Sequence, residues 1–388
     1  MSKNIIGCEL NERYCQVSYY SEEQHEPVTL ENVMYPAHDL YRRAVRRESD
    51  EIIHLLKECV EKALQRFEKV DQLVFTVEEL STDIVRMLKG IGQRLGVPKS
   101  NIYAQDYKES FCNYMLYQPK ELWQYEAALF HCDRREVKAY MLRKISTGYG
   151  RGRDAFITVD EVANAKMEEL AAVYPVLNVD RAREADARFK QFIQGIFEKK
   201  LVSSVFLVGE GFENNWYPQS LRVLCNGRRA FHGNNLYSKG ACYAAYKKVL
   251  DYDESLVYLD ETTMMDQICL KLRMNGKDKW YPLVSWGKRW YEADANCEIL
   301  LESAEDIEIH IESLAGAEVR VERISLEGLP KRTNYTLRLQ VKVILLDEKN
   351  CKISMKDVGF GEFFPATDFY VEREIRLGGS NEQFNSLS

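Results

Sequence analysis

Apolar positions change their spacing several times along the chain, and the changes divide it into three parts. Over positions 4–34 the runs NIIGCEL, YCQVSYYS and PVTLENVM alternate with short polar turns and predict an antiparallel meander of three strands. From about 50 to 67 the spacing turns helical, with Ile53, Leu56, Val60 and Leu64 on one face. QLVFTV at 72–77 predicts a buried strand. Ser81 or Thr82 caps a second helix that Gly96 and Pro98 end after Leu95, and a strand at 102–104 and a helix over 108–116 follow. Three strands, helix, strand, helix, strand, helix implies an α/β layer with a mixed sheet.

A second pass repeats this plan. Strands are predicted at 127–132 and 136–145, helices over 159–173 and 182–199, a strand at 202–211 and a helix over 238–249. Beyond 252 the texture becomes short alternating strands, CEILLES, DIEIHIES, EVRVERISL, YTLRLQVKVILLD and KISMKDV, expected to form an all-β sandwich. The domain reading is therefore 1–252 for a two-lobed α/β part (lobe I about 1–120, lobe II about 121–252), 260–377 for the sandwich, and 378–388 for a flexible tail without apolar content.

Composition narrows the classes. With 388 residues, 45% of them hydrophobic, and 23 Tyr and 16 Phe, the chain can bury real cores. A net charge of -7 argues against broad nucleic-acid binding. There is no run long enough for a bilayer and MSKNIIGCEL does not read as a signal peptide, so the expected address is cytoplasmic, with no membrane partner. The ten cysteines lie without metal-ligand spacing, and no metal is expected.

The order of these fragments resembles the DnaK-type heat-shock chaperones of the actin and sugar-kinase ATPase superfamily over nearly the whole chain. IIGCELNER sits where that family has its first phosphate strand, VFTVEELSTDIVRMLKGIGQRLGV and IYAQDYKESFCNYML follow in order, and AALFHCDRREVKAYML aligns without gaps on the second phosphate hairpin. SSVFLVGEGF matches the strand leading to the adenosine turn, NNLYSKGACYAAYKK the packing helix, and AEDIEIHIESLAGAEV, ISLEGLP and LQVKVILLDEKNCKISMKDVGFGE the substrate-binding strands. The resemblance implies a two-lobed actin-like, ribonuclease H-like ATPase fold followed by a β-sandwich.

It also implies chemistry that the residues do not supply. The family needs an aspartate for the magnesium shell, small residues so that amides can wrap phosphates, and a carboxylate to position water. Here the first aspartate is Glu9, the following small residues are Asn11, Glu12 and Arg13, the second aspartate is His131, and the second loop is Asp133, Arg134, Arg135 and Glu136. Asp106 matches the positioning glutamate, and no lysine can be assigned to the phosphates; YPAHDLYRRAVRR is all that remains of its subdomain. Gly209, Glu210, Gly211 and the packing glycine Gly240 survive on the adenosine side. Arg134 and Arg135 are read either as an anion clamp or as salt-bridge partners of Glu9, Glu12 or Asp133.

Outside the cleft, the Gly148–Gly152 loop with Arg151 and Arg153 is read as a connector or a phosphate loop, and Arg42, Arg43, Arg46 and Arg47 as a solvated face or a partner surface. In the β module, Ala304, Ile307 and Ile309, with Trp280 and Tyr281 upstream, are candidates for peptide binding or for sandwich core.

The expected function is a heat-shock-chaperone-like protein with an inactive ATPase domain, a peptide-binding or scaffold subunit. Its partner is a protein or peptide, an active heat-shock chaperone among the candidates. No cofactor is expected, and ATP or ADP would bind without hydrolysis. Two alternatives stand beside it. A diverged ATP-dependent chaperone would use Asp106, Glu9 and Asp133 and lose phosphate release in Asp106→Asn; an actin-like filament or cell-shape component would sediment with concentration.

Overall fold

The computed structural model describes residues 4–20, 26–67, 69–133, 136–145, 155–167, 179–250, 256–260, 262–274, 276–301, 305–313, 319–332 and 336–377. Two compact units divide the chain near Tyr258.

The first unit opens with β1 (Ile5–Leu10), β2 (Tyr14–Tyr20) and two short pieces, β3 (Val28–Thr29) and β4 (Val33–Met34), followed by α1 (Leu40–Val45), α2 (Asp50–Leu64), β5 (Gln72–Val77), α3 (Thr82–Arg94), β6 (Ile102–Asp106) and α4 (Tyr107–Leu116). Ser49 caps α2 by accepting from the Ile52 amide at 3.3 Å, and Ser81 caps α3 by accepting from Ile84 at 3.2 Å. The sheet order is β3-β2-β1-β5-β6, with β1 antiparallel to β2 and parallel to β5. The four arginines of the basic cluster sit on and just after α1, where Arg42 pairs with Glu12 and Arg43 with Glu48 at 2.8 Å.

The second half runs β7 (Glu126–Cys132), β8 (Glu136–Ile145), β9 (Ala155–Lys166), α5 (Val179–Phe197), β10 (Val202–Val208), α6 (Pro218–Leu224), β11 (Arg229–His232), α7 (Leu236–Leu250) and β12 (Leu256–Leu259). Its order, β11-β10-β7-β8-β9-β12, is the first sheet's order with one strand added at the edge. β8 and β9 pair antiparallel, and β10 lies parallel between β7 and β11.

The helix predicted over 159–173 is a correction: its described residues belong to β9. Phe156, Ile157 and Val159 are buried in the strand, and Met167 follows it into the core. VDEVANAK has good helix propensity, but the exposed ladder of β8 offers it ten paired positions, and tertiary pairing overrides propensity. Restoring this third strand makes the two halves the same βββαβαβα plan. The strand expected at 202–211 ends at Val208, because Gly209 with φ 99 turns the chain into a short 3₁₀ segment over Glu210–Asn215.

Period-two alternation decides what each strand face touches. On β1, Ile6, Cys8 and Leu10 point into a core with α2 and α3, whereas Ile5 packs with Ala241, Ala244 and Ala245 of α7. On β7, Ala128, Phe130 and Cys132 face Phe189 and Ile193 of α5, whereas Ala127 and Leu129 face Phe111 and Met115 of α4. The last helix of each half thus packs on the other half's sheet. At Gly240 the two helices cross so closely that a Cβ would lie 2.2 Å from the Ser110 carbonyl oxygen, and at Gly7 one would lie 2.2 Å from the Ser238 carbonyl oxygen. Only glycine fits at either crossing.

The second unit is all-β, with β13 (Asp266–Met274), β14 (Lys277–Val284), β15 (Ala295–Leu301), β16 (Asp306–Ser313), β17 (Val319–Ser325), β18 (Leu337–Leu345), β19 (Asn350–Asp357) and β20 (Tyr370–Arg376). They form two antiparallel sheets, β14-β13-β16-β17 and β15-β18-β19-β20, whose inner faces contribute to one core. No described helix is long and apolar enough to cross a membrane.

Candidate functional site

The carboxyl ends of the central strands are where open α/β sheets place ligands. Glu9 is the next-to-last residue of β1, on the same face as Ile5 and Gly7, His131 is the next-to-last of β7, on the face of Ala127 and Leu129, and Gly209 follows β10. These three ends converge.

The β1–β2 turn is built around Asn11, whose Oδ1 accepts from the amides of Arg13 at 2.9 Å and Tyr14 at 3.0 Å while its Nδ2 donates to Glu9 Oε1 at 3.3 Å. An Asx turn of this kind consumes the amides that a phosphate would need. Arg13 leaves the turn to form an ion pair with Glu210 in the other half. A second pair links the halves, Lys138 Nζ donating to Glu78 Oε1 at 2.6 Å.

Behind these pairs lies an aromatic layer. Tyr107, the first residue of α4, stacks on Tyr237 of α7 with centroids 3.9 Å apart and planes 5° from parallel, and on His131 at 5.1 Å. The Tyr237 hydroxyl and His131 Nδ1 share a hydrogen bond of 3.0 Å, and the Tyr107 hydroxyl reaches Glu9. Burial pushes Glu9 up to about 7, against the lowering effect of its bonds to Asn11 and Tyr107. Burial likewise lowers His131, with Glu78 and Asp133 pulling the other way, and raises both tyrosines. At neutral pH the layer presents two neutral phenols and a neutral imidazole, with no cation of its own to balance a triphosphate.

The remaining candidates fall into place around it. Asp133 closes the β7–β8 turn by accepting from the Glu136 amide at 2.6 Å, while Arg134 and Arg135 lie outside the described residues. Asp106 is the N-cap of α4, accepting from the Glu109 amide at 2.8 Å, with Lys108 Nζ 4.0 Å from its other oxygen. Gly209 and Gly211 press on the β7–β8 turn: a Cβ would stand 2.2 Å from the Cys132 carbonyl oxygen at the first and 2.2 Å from Cys132 Sγ at the second. Those glycines and Gly240 are thus required by packing. Among the described residues no three His, Cys, Asp or Glu side chains converge as metal ligands.

In the β module Ile307 and Ile309 are core side chains, 6% and 0% exposed, rather than members of an exposed peptide surface. Trp280 is half exposed and stacks on His310 at 3.5 Å. Ala304, the Gly148–Gly152 loop and the tail lie outside the described residues.

Sequence reasoning missed Tyr107, Tyr237 and the Lys138–Glu78 pair. Their signal was present: Tyr107 is the first residue of α4 and Tyr237 the second of α7, and Tyr237 precedes the packing Gly240 by three positions, close to one helical turn.

Residues 17–261 match the model of a family of unknown function, DUF5716 C-terminal, and residues 263–377 match a domain of unknown function, DUF8552. No curated protein matches the chain. Solved structures that it resembles include an inorganic polyphosphate/ATP-glucomannokinase from Arthrobacter sp. strain KM (11% identity, 63% of this chain and 99% of that one, TM-score 0.40). A ROK family glucokinase from Streptomyces griseus (11%, 63% and 99%, 0.41) and the ethanolamine utilization protein EutJ from Carboxydothermus hydrogenoformans (10%, 63% and 90%, 0.37) are further examples.

Proposed function

The chain belongs to the DUF5716 family, and we propose that it is a non-catalytic protein with a two-lobed fold of the actin and heat-shock ATPase kind, joined to a β-sandwich. In this reading it serves as a cytoplasmic scaffold or protein-binding subunit, heat-shock-like in plan, whose partner is a protein or peptide. The repeated strand order and the crossed helices α4 and α7 support the fold.

The Arg13–Glu210 ion pair carries the functional reading. It joins the two turns between which a triphosphate would lie, and the stack of Tyr107, Tyr237 and His131 fills the room behind it. A nucleotide would have to separate the ion pair and strip the Asn11 turn of its bonds, with no charged group of the layer to offset the cost. Asp106, the remaining carboxylate for positioning water, is committed to its helix cap.

Thermal unfolding with and without magnesium ATP tests this. A ligand at a hundred times its dissociation constant adds about 2.7 kcal/mol, or a rise of roughly 5–10 °C for a unit of this size. No shift is expected; a rise of that order would overturn the proposal.

A further inference from the structure

The outer face of one sheet in the second unit carries a row of side chains that stops at an edge. Strands β14, β13, β16 and β17 place Pro282, Cys269, His310 and Val321 side by side. Trp280 lies along this row, its ring centroid 3.5 Å from that of His310. Beyond β17 no further strand follows among the described residues, and Val321 is 43% exposed, with Val319 on the same face 48% exposed. Two β-branched side chains at the open side of a sheet are one half of a cross-strand contact.

The two edges of this sheet are built differently. β14 carries Lys277, Lys279 and Pro282, residue types that keep an edge strand from pairing. β17, VRVERIS, has neither lysine nor proline, and its backbone bonds to described residues all lie in the ladder with β16. Its charges are arranged for a two-fold axis. Arg320 and Glu322 point to the face opposite Val321 and pair with each other at 3.3 Å, with side chains 43% and 40% exposed, and Arg320 also donates to the Arg376 carbonyl. When two antiparallel copies of the strand meet with Val321 opposite Val321, Arg320 of each copy stands opposite Glu322 of the other. A slip of one residue turns the valines to the wrong face, and a slip of two sets Arg320 opposite Arg320 or Glu322 opposite Glu322.

We infer that β17 is the contact of a two-fold dimer, pairing antiparallel with β17 of a second copy about Val321. The two four-stranded sheets become one, and the rows of rings and valines meet end to end. Such a contact is isologous and closes on itself, so it yields a dimer and nothing larger. The inference does not depend on the state of the cleft.

Sedimentation velocity of the full chain tests it. Wild type is expected to pass from monomer to dimer as concentration rises. Arg320→Glu and Glu322→Arg each set like charges opposite one another at both symmetric positions, and each should weaken association about thirtyfold. An equimolar mixture of the two variants restores both opposite-charge pairs and should dimerise as wild type does, which two misfolded chains could not do. A wild type that stays monomeric, a single variant that dimerises like it, or a mixture without dimer would each overturn the inference.

Discussion

Replacing Glu9 with glutamine is expected to raise stability above pH 7 by about 3 kcal/mol while changing little below pH 4.5. The cause is burial: the carboxyl is 3% exposed and its pKa rises from 4.5 to about 7. The folded state therefore holds this proton more tightly than the unfolded chain. Below about 4.5 both states are protonated and the site contributes no slope; between 4.5 and 7 stability falls as pH rises; above 7 the loss is complete. A shift of this size corresponds to about 3 kcal/mol. Glutamine keeps the Oε1 acceptor that Asn11 uses but carries no charge to desolvate. Urea unfolding of both proteins between pH 5 and 8 would show the gap opening with pH; parallel curves would mean that Glu9 is solvated.

The second large effect is expected at the helix crossing. Gly240→Ala places a methyl group 2.2 Å from the Ser110 carbonyl and 2.4 Å from its Oγ, both on α4. The carbonyl cannot turn away without breaking α4, and Ser110 Oγ already donates to the Tyr237 carbonyl at 2.8 Å. The helices must move apart, which pulls Tyr107 from Tyr237 and loosens the aromatic layer of Tyr107, Tyr237 and His131. A loss of about 3 kcal/mol, or roughly 6–12 °C, is expected. Gly90→Ala is the control: a Cβ there meets nothing within 4 Å, so the same substitution should stabilise by about 0.5–1 kcal/mol. Equal effects at the two positions would show that the crossing is not tight.

The fold was legible wherever a single periodicity ruled a segment. The alternation of β7 and the helical face of α2, which buries Leu56, Val60 and Leu64, are local facts. β9 was not legible, because ten residues of β8 pair with it and that partner is invisible in a window of sequence. The site was legible in what it lacks, at Glu9, Asn11 and Asp133. It was not legible in what replaces it: Arg13 and Glu210 are 197 positions apart, and Tyr107 and Tyr237 meet only because two helices exchange sheets. The surviving glycines could be read for nucleotide or for packing, and the distances at Gly209, Gly211 and Gly240 give packing.

Amide hydrogen exchange at the two turns is the most direct probe of the proposal that no nucleotide enters between them. The Arg13 and Tyr14 amides donate to Asn11 and the Phe212 amide to Gly209. Slow exchange at all three without nucleotide, unchanged by magnesium ATP, is the predicted result; rapid exchange that slows when magnesium ATP is added would contradict it.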